Sequence, residues 1–473
     1  MIVMKFGGTS VQDAAAMGRL AAIVADRRAE RPVVVVSALA GATDQLIELA
    51  TLALHSEGFA AGALAALRER HLRVLGELRG GADARAERGE VEAAFAALGE
   101  LLRGISAVGE LTPRTRDAVV SYGERLSPLL VRHALATAGL PAVAADARRV
   151  VITDERFTAA QPIAAEVQRA AAAELQPLLA AGSIPVLGGF IGATRRGIGT
   201  TLGRGGSDFS AAILGAALGA ERIEIWTDVD GMLTADPRLC PGARRIPRIS
   251  FAEAAESAYF GAKVLHPSTL LPAMRKNIPV WVLNSRDFHP GPPDAAVTGT
   301  LITAQAGGQQ AAPSAPAAGS AAGKVACISS KRGVAVVDVV STRMLMAHGF
   351  LKAIFDVFAA HQCQIDMIST SEVSVSLTVA DTAPLPAIAD ALGRFAEVRY
   401  EGRKAIVCLV GGGMRNTPGV AAAVFAALGD INIRMISQGA SEMNISLVIE
   451  DDDVPRAVER LHAHFFPAAA AVG

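Results

Sequence analysis

Over the first 300 residues, short β-branched runs alternate with longer stretches of helical periodicity. Ile2–Phe6, Val33–Val36, Ile184–Leu187, Ile223–Trp226 and Ile278–Leu283 are predicted strands. Asp13–Glu30, Thr112–Ala138, Pro162–Ala181 and Ser250–Ala262 are predicted helices. Continuous apolar strands separated by helices predict an α/β domain whose mainly parallel sheet is covered on both faces. Polar and glycine-rich segments follow the strands: Gly7-Gly8-Thr9-Ser10, Ser37–Gly41, Gly188-Gly189, Thr227-Asp228 and Asn284-Ser285. Ligands in open α/β sheets sit beyond the carboxyl ends of the strands, so five segments converge on one expected site.

The pattern changes at residues 304–324, which hold only small and polar residues with Pro and Gly and are expected to form a flexible linker. Beyond it the text repeats. Residues 349–377 echo 419–447, from Gly349/Gly419 through Phe355/Phe425, then Met367-Ile-Ser369/Met435-Ile-Ser437, then Ser371-Glu372/Ser441-Glu442. In the first copy Leu351, Ile354, Phe355 and Phe358 form one apolar helix stripe, and the β-rich text after each helix predicts a strand pair. The expected organisation is a catalytic domain at 1–303, the linker, and two α+β (βαββ) modules at 325–400 and 401–473, the second completed by residues 325–340.

With 51% hydrophobic and 19% charged residues the chain is globular, and 45 basic against 46 acidic side chains remove any global electrostatic case for nucleic acid or an anionic membrane. There is no run of 18 apolar residues to span a bilayer, and the apolar start Met1–Lys5 is too short for a signal peptide. Cys240, Cys327, Cys363 and Cys408 lie far apart without a CxxC pair, which fits a reduced, cytoplasmic compartment and no structural zinc.

Five motifs carry candidate chemistry. Lys5-Phe6-Gly7-Gly8-Thr9-Ser10 places a cation and a glycine turn at a strand end, suited to phosphate oxygens, although a plain turn has the same text and GxxxxGK[ST] is absent. Gly203-Arg204-Gly205-Gly206-Ser207-Asp208 precedes a predicted helix 209–219; Ser207 or Asp208 can cap it, the glycines free its N–H groups for an anion, and Arg204 can grip a carboxylate with two hydrogen bonds. Ser121-Tyr-Gly-Glu124 sets an acid in a mostly apolar helix, where spacing alone fits a solvated position equally well. Trp226-Thr-Asp228-Val-Asp230-Gly231 and Asp236-Pro-Arg238 suit a metal, a ribose or their own turn amides. Phe260-Gly-Ala-Lys263-Val264-Leu-His-Pro267 puts a lysine at a helix junction, where a surface role is equally compatible.

In this order and spacing, KFGGTSV, SALAGAT, SYGE, TLGRGGSD, WTDVDG and FGAKVLHP resemble the motif series of aspartate kinases, and the repeats resemble the paired ACT modules of the monofunctional lysine-sensitive type. The resemblance covers nearly the whole chain. It implies the amino-acid-kinase αβα sandwich and transfer of a phosphoryl group from ATP, with Mg²⁺ bound to the nucleotide, to L-aspartate. It implies that Lys5 and Asp208 act at the reaction centre and that Ser37, Thr43, Glu124, Arg204 and Ser207 hold aspartate, Glu124 its ammonium and Arg204 its α-carboxylate. Lys5, Phe6, Gly7, Gly8, Thr227, Asp228, Leu233, Arg238, Lys263 and Val264 are implied for the nucleotide. Leu233 stands where the family often has Tyr, which removes a stacking or hydrogen-bonding group there.

For the effector, expected to be lysine, the resemblance implies Met344, Ala347, Phe350, Leu351, Ile365, Asp366, Ser371 and Glu372; Ala347 stands where related chains can carry Ser. A homodimer through the ACT modules is also implied. Two alternatives remain from sequence: a kinase of the same fold acting on acetylglutamate or a nucleotide, and a catalytically silent amino-acid-binding regulator. A fused homoserine dehydrogenase is not expected, since no GxGxxG follows the repeats.

Overall fold

The computed structural model describes residues 1–55, 57–78, 84–261, 265, 267–294, 298–305, 324–341 and 348–467. These residues divide into two compact units. The first comprises Met1–Met232, Pro247–Phe251 and Val264–Gln305; the second comprises Leu233–Ile246, Ala252–Lys263 and Ala306–Gly473. The division therefore differs from the single break expected at residue 303. Two segments that lie early in the chain, 233–246 and 252–263, fold with the C-terminal repeats. Most of the expected linker, 306–323, lies outside the described residues.

The strands of the first unit, in chain order, are β1 (Ile2–Phe6), β2 (Pro32–Val36), β3 (Ala142–Ala145), β4 (Ile152–Thr153), β5 (Ile184–Gly188), β6 (Ile191–Thr194), β7 (Gly199–Thr201), β8 (Arg222–Thr227), β9 (Arg248–Ser250), β10 (Val280–Asn284) and β11 (Thr300–Thr303). Eight of them form one sheet among the described residues, in the order β3-β5-β2-β1-β8-β10-β11-β9. Every pair from β3 to β10 is parallel; β11 runs antiparallel to β10, and β9 pairs parallel to β11. All residues of β1, β2 and β5 are buried, as a sheet covered on both faces requires. A small sheet β4-β6-β7 stands apart.

The predicted helices are present with shifted ends. Asp13 caps Ala14–Asp26 by accepting from the Ala16 N–H at 2.7 Å. The predicted 112–138 helix is two, Pro113–Val120 and Tyr122–Thr137, meeting at Ser121, with Thr112 as cap and Pro113 opening the first. Helices Ala42–His55, Glu57–Glu77 and Arg85–Val108 add a layer that the strand-centred pattern did not predict.

The second unit holds β12 (Cys327–Val340), β13 (Ile365–Thr370), β14 (Ser374–Val379), β15 (Glu397–Val410), β16 (Met435–Gln438) and β17 (Asn444–Glu450), in one antiparallel sheet ordered β13-β14-β12-β15-β17-β16. Each repeat has a second helix beyond the expected βαββ unit, Leu385–Leu392 in the first and Val454–Phe465 in the second. Two 14-residue strands, β12 and β15, serve both repeats.

The expectation that 325–340 completes the second repeat is half correct. Val325 and Ile328 pack in the core of the second repeat, whereas Ala335, Val337 and Val339 pack in that of the first. The β12–β15 ladder shifts register around Arg332–Val336, between those two halves. One strand can feed both cores because it pairs with β15 along its length while only its Ala335–Val340 half also pairs with β14.

Candidate active site

Beyond the carboxyl ends of β1, β2 and β5 lies a cleft of about 730 Å³. Lys5, Gly8, Ser37, Thr43, Glu124, Arg204, Ser207 and Asp208 all line it. Residues far apart in sequence thus meet at one sheet end.

Lys5 rises from β1 with its side chain 10% exposed, and its Nζ lies 2.6 Å from Asp208 Oδ1. Asp208 sits in the first turn of helix Gly206–Leu218. The capping role open to Ser207 or Asp208 is taken by neither. The cap position is Gly205, with φ 71° and no side-chain cap, and the Asp208 carboxylate faces Lys5 instead. Ser207 lies under Gly189, where a Cβ would come within 2.8 Å of Ser207 Cα. Gly188 is tighter still: a Cβ there would lie 2.0 Å from the Glu124 carbonyl oxygen. Gly188, the last residue of β5, and Gly189 after it let both polar segments approach the same strand end.

Glu124 is buried in the first turn of Tyr122–Thr137. Its Oε1 accepts from the Ala38 N–H at 3.1 Å, and its Oε2 is buried with no hydrogen-bond partner among the described residues. Burial pushes its carboxyl up to about 8, against the pull of the Ala38 amide. The sequence-compatible alternative of a solvated position is thereby excluded. An unmatched buried carboxylate oxygen suits a cationic ligand group.

The nucleotide set is less gathered. Gly8 reaches the cleft, and a Cβ on Gly7 would lie 3.6 Å from Lys5 Nζ. Phe6 does not reach it: its side chain is buried and stacks on Trp226, and its carbonyl accepts from the Ser37 N–H. Thr227 ends β8, Asp228 follows it, and neither lines the cleft; Ser285 Oγ joins this end to the first loop, 2.8 Å from Ser10 Oγ and 3.1 Å from the Thr227 carbonyl. Leu233 pairs with Arg245 within the second unit, where the exposed Arg238 holds Asp236 at 3.0 Å. Lys263 and Val264 lie outside the described residues.

In the second unit, Asp366 on β13 is the best-defined residue of the expected effector set. Its side chain is 1% exposed. Oδ1 takes Lys331 Nζ at 2.6 Å and the Tyr259 hydroxyl at 3.4 Å; Oδ2 is buried without a hydrogen-bond partner among the described residues. Burial, with the Asp366 charge second, raises the Tyr259 phenol above its ordinary value. Phe350 packs edge-on against Phe395, Ile365 is half-buried, and Leu351 and Glu372 are exposed. The Ser371 hydroxyl is engaged in its own hairpin, 2.7 Å from Ser374 Oγ. Met344 and Ala347 lie outside the described residues.

Comparison with known proteins decides the family. Residues 1–284 match the amino acid kinase family and 407–465 match the ACT domain. The chain is 38% identical to lysine-sensitive aspartokinase 3 of Escherichia coli (strain K12), over 98% of this chain and 99% of that protein. The chain belongs to the aspartokinase family. It is also 36% identical to the chloroplastic aspartokinase 2 of Arabidopsis thaliana, over 98% of this chain and 84% of that one. Among solved structures it is similar to E. coli aspartokinase III in complex with aspartate and ADP (R-state), with TM-score 0.83 and 37% identity over 98% of this chain and all of the other. The same enzyme with lysine and aspartate (T-state) gives 0.79 and 38%, over 98% of this chain and 99% of that one. The resemblance read from the six motifs, the fold class and the assignment to aspartokinases agree with these matches.

Several cleft residues lie outside the recognised motifs: Asp44, Arg116, Asp117, Thr158 and Phe190. Asp117 stood seven positions before Glu124, two helical turns away, which was the one signal available. Thr158 and Phe190 have φ of 71° and 62°, conformations that no sequence pattern announces.

Proposed function

We propose that this chain transfers the terminal phosphoryl group of ATP to the side-chain carboxylate of L-aspartate, giving 4-phospho-L-aspartate and ADP, under feedback control by lysine. The observation that carries the reading is one cleft holding the Lys5–Asp208 ion pair, the exposed Arg204 and the unmatched Glu124 oxygen.

An aspartate side chain, with an ordinary pKa of about 3.9, is already ionised at neutral pH, so the attacking oxygen needs no general base. The remaining difficulty is bringing two anions together and stabilising the charge of the transferring group. Lys5 meets that charge, and Asp208 fixes where the Lys5 ammonium points. Gly7 and Gly8 line the phosphates. Arg204 takes the α-carboxylate, Glu124 the ammonium, and Ser37, Thr43 and Ser207 the remaining polar edges. Thr227, Asp228, Leu233, Arg238, Lys263 and Val264 serve the nucleotide, Phe6 only by shaping the strand end. Mg²⁺ would be carried on the phosphate oxygens of the nucleotide, where it would neutralise phosphate charge.

Lysine is read at the first repeat, its ammonium directed to Asp366 or Glu372. A homodimer is supported by matching apolar positions left exposed in both repeats, Phe355 with Phe425 on the helices and Ile368 with Ile436 on the outer strands β13 and β16. Four free buried cysteines suit a reducing compartment such as the cytoplasm, and no helix among the described residues is long and apolar enough to cross a membrane.

The test is trapping of the acyl phosphate with hydroxylamine in the presence of ATP and aspartate, with and without lysine. Hydroxamate should form with aspartate and not acetylglutamate, and lysine should suppress it. Lys5→Ala should lower the rate by about 10²–10³ while the fold persists. Hydroxamate at a rate within threefold of wild type would remove Lys5 from the centre.

A further inference from the structure

We propose that Asp117 is a positioning residue for the aspartate site, holding in place the loop that carries Arg204. The inference rests on the reading of Arg204 as the α-carboxylate clamp. Asp117 belongs to helix Pro113–Val120, is 1% exposed, and lines the cleft wall. Its carboxylate gathers two segments that are distant in sequence. Oδ2 accepts from the Thr158 N–H at 2.9 Å and the Thr201 N–H at 3.0 Å, and Oδ1 accepts from the Thr201 hydroxyl at 2.7 Å.

Both segments bear on the 203–208 loop. Thr201 ends β7, three residues before Arg204. Thr158 presses on the same loop from the side, since a Cβ on Gly203 would lie 3.3 Å from the Thr158 carbonyl oxygen. The Ala160 N–H closes the arrangement by donating to the Thr201 carbonyl at 2.9 Å.

Thr158 has φ 71°, a conformation a β-branched residue adopts only when its surroundings impose it. The bond from its N–H to Asp117 is such an imposition. Gly203, with φ 78°, then starts the turn that presents Arg204. Arg204 is exposed and makes no hydrogen bond or ion pair among the described residues, so its approach to a carboxylate is set by the backbone beneath it. Burial raises the Asp117 carboxyl above its ordinary value while three hydrogen bonds hold it down, so its place in the wall depends on those donors.

Asparagine can reproduce the arrangement. Its amide oxygen can accept both N–H groups while the Thr201 hydroxyl turns to accept from the amide nitrogen. The experiment measures KM for aspartate and for ATP, and kcat, in the full chain with Asp117→Ala, Asp117→Asn and Thr201→Val. Asp117→Ala should raise the aspartate KM about 10–100-fold, because misplacement near 1 Å can cost that much, with the ATP KM within twofold and kcat within threefold. Asp117→Asn should return the aspartate KM to within threefold of wild type.

If Asp117→Ala does not fold, Thr201→Val carries the test, with an expected aspartate KM rise of about 3–10-fold and an unchanged ATP KM. An aspartate KM within twofold of wild type in Asp117→Ala, or in Thr201→Val where that variant carries the test, overturns the proposal. So does an Asp117→Asn variant as impaired as the alanine, which would mean that the charge itself meets the substrate. A wild type that forms no acyl phosphate from aspartate would instead fail the functional reading, and the positioning role with it.

Discussion

Glu124 in the first unit and Asp366 in the second are both buried carboxylates with one oxygen satisfied and the other without a hydrogen-bond partner. Both are read as meeting the ammonium group of an amino acid. They differ in what stands beside them. Glu124 has a single backbone amide, no ion pair among the described residues, and a carboxyl raised to about 8. Asp366 already has a cation, Lys331 at 2.6 Å. An uncompensated buried carboxylate stays protonated until a cation arrives, so a ligand ammonium brings its own affinity and releases a proton. A compensated one must share or exchange its partner. On these readings the Glu124 carboxyl is incomplete until a ligand arrives, and the Asp366 carboxylate is already closed by Lys331.

The largest effect that separates the two is expected at Glu124. Glu124→Gln should lower kcat/KM for aspartate by about 10²–10³, since a buried charge pair lost on one side costs roughly 2–5 kcal/mol. In wild type the aspartate KM should fall as pH rises toward 8, because ionised Glu124 is the binding form. Stability should move the opposite way. The folded carboxyl is raised from an ordinary 4.5 to about 8, so the stability linked to it is fully present below pH 4.5 and is lost as pH rises toward 8. Between pH 5 and 8 this amounts to a loss on the order of 3 kcal/mol, absent in Glu124→Gln. Denaturant melts of both proteins at the two pH values check it. Parallel curves would mean that Glu124 is ionised in the empty cleft and that the contrast with Asp366 is false.

A smaller effect is expected from opening the closed site. Lys331→Met removes the internal cation and leaves the Asp366 carboxylate buried without its ion pair, much as Glu124 is now. The variant should be less stable by roughly 3–5 kcal/mol. Lysine should then inhibit at about tenfold lower concentration and raise the melting temperature more than in wild type. Asp366→Asn should abolish inhibition. A Lys331→Met enzyme with the wild-type lysine midpoint would mean that Lys331 and the effector use different oxygens without competing.

Much of this was legible in the sequence. The continuous apolar strands gave the parallel sheet because full burial leaves no other pattern, and the polar segments after β1, β2 and β5 line the cleft or pack directly against it. Three things were not legible. Segments 233–246 and 252–263 fold with the repeats through contacts such as Thr234 Oγ1 to His462 Nε2 at 2.9 Å and Ser257 Oγ to Ser329 Oγ at 2.9 Å, 228 and 72 positions apart. Local composition carries no trace of such pairings. The division of β12 between two cores follows the register shift against β15 and the pairing of its C-terminal half alone with β14, while its own text is uniformly strand-like. Local text alone offers Asp208 as a cap because Ser/Asp before an apolar run is a capping signal, whereas its ion pair with Lys5 is a long-range fact that no local signal carries.

The smallest expected effect tests whether the two repeats share a ligand function. The second repeat has the first one's Ser-Glu text, yet Arg434 stands where the first has Asp366, counting by the offset at Met-Ile-Ser. Its Glu442 is ion-paired with Arg415, and its Ser441 donates to Glu256 Oε1 at 2.8 Å. Asn444 donates to the other oxygen of Glu256 at 2.7 Å. A cation where an ammonium ligand needs an anion, and a serine and glutamate already engaged, make this repeat a holder of the 252–263 segment and not an effector site. Glu442→Ala therefore removes one exposed pair, worth about 0–1 kcal/mol, and should shift the lysine midpoint less than twofold. Glu372→Ala, at the equivalent exposed position of the first repeat, should raise that midpoint several-fold without lowering uninhibited activity. Equal shifts in the two variants would restore the repeats to equivalence, and a larger shift at Glu442 would move the effector to the second repeat.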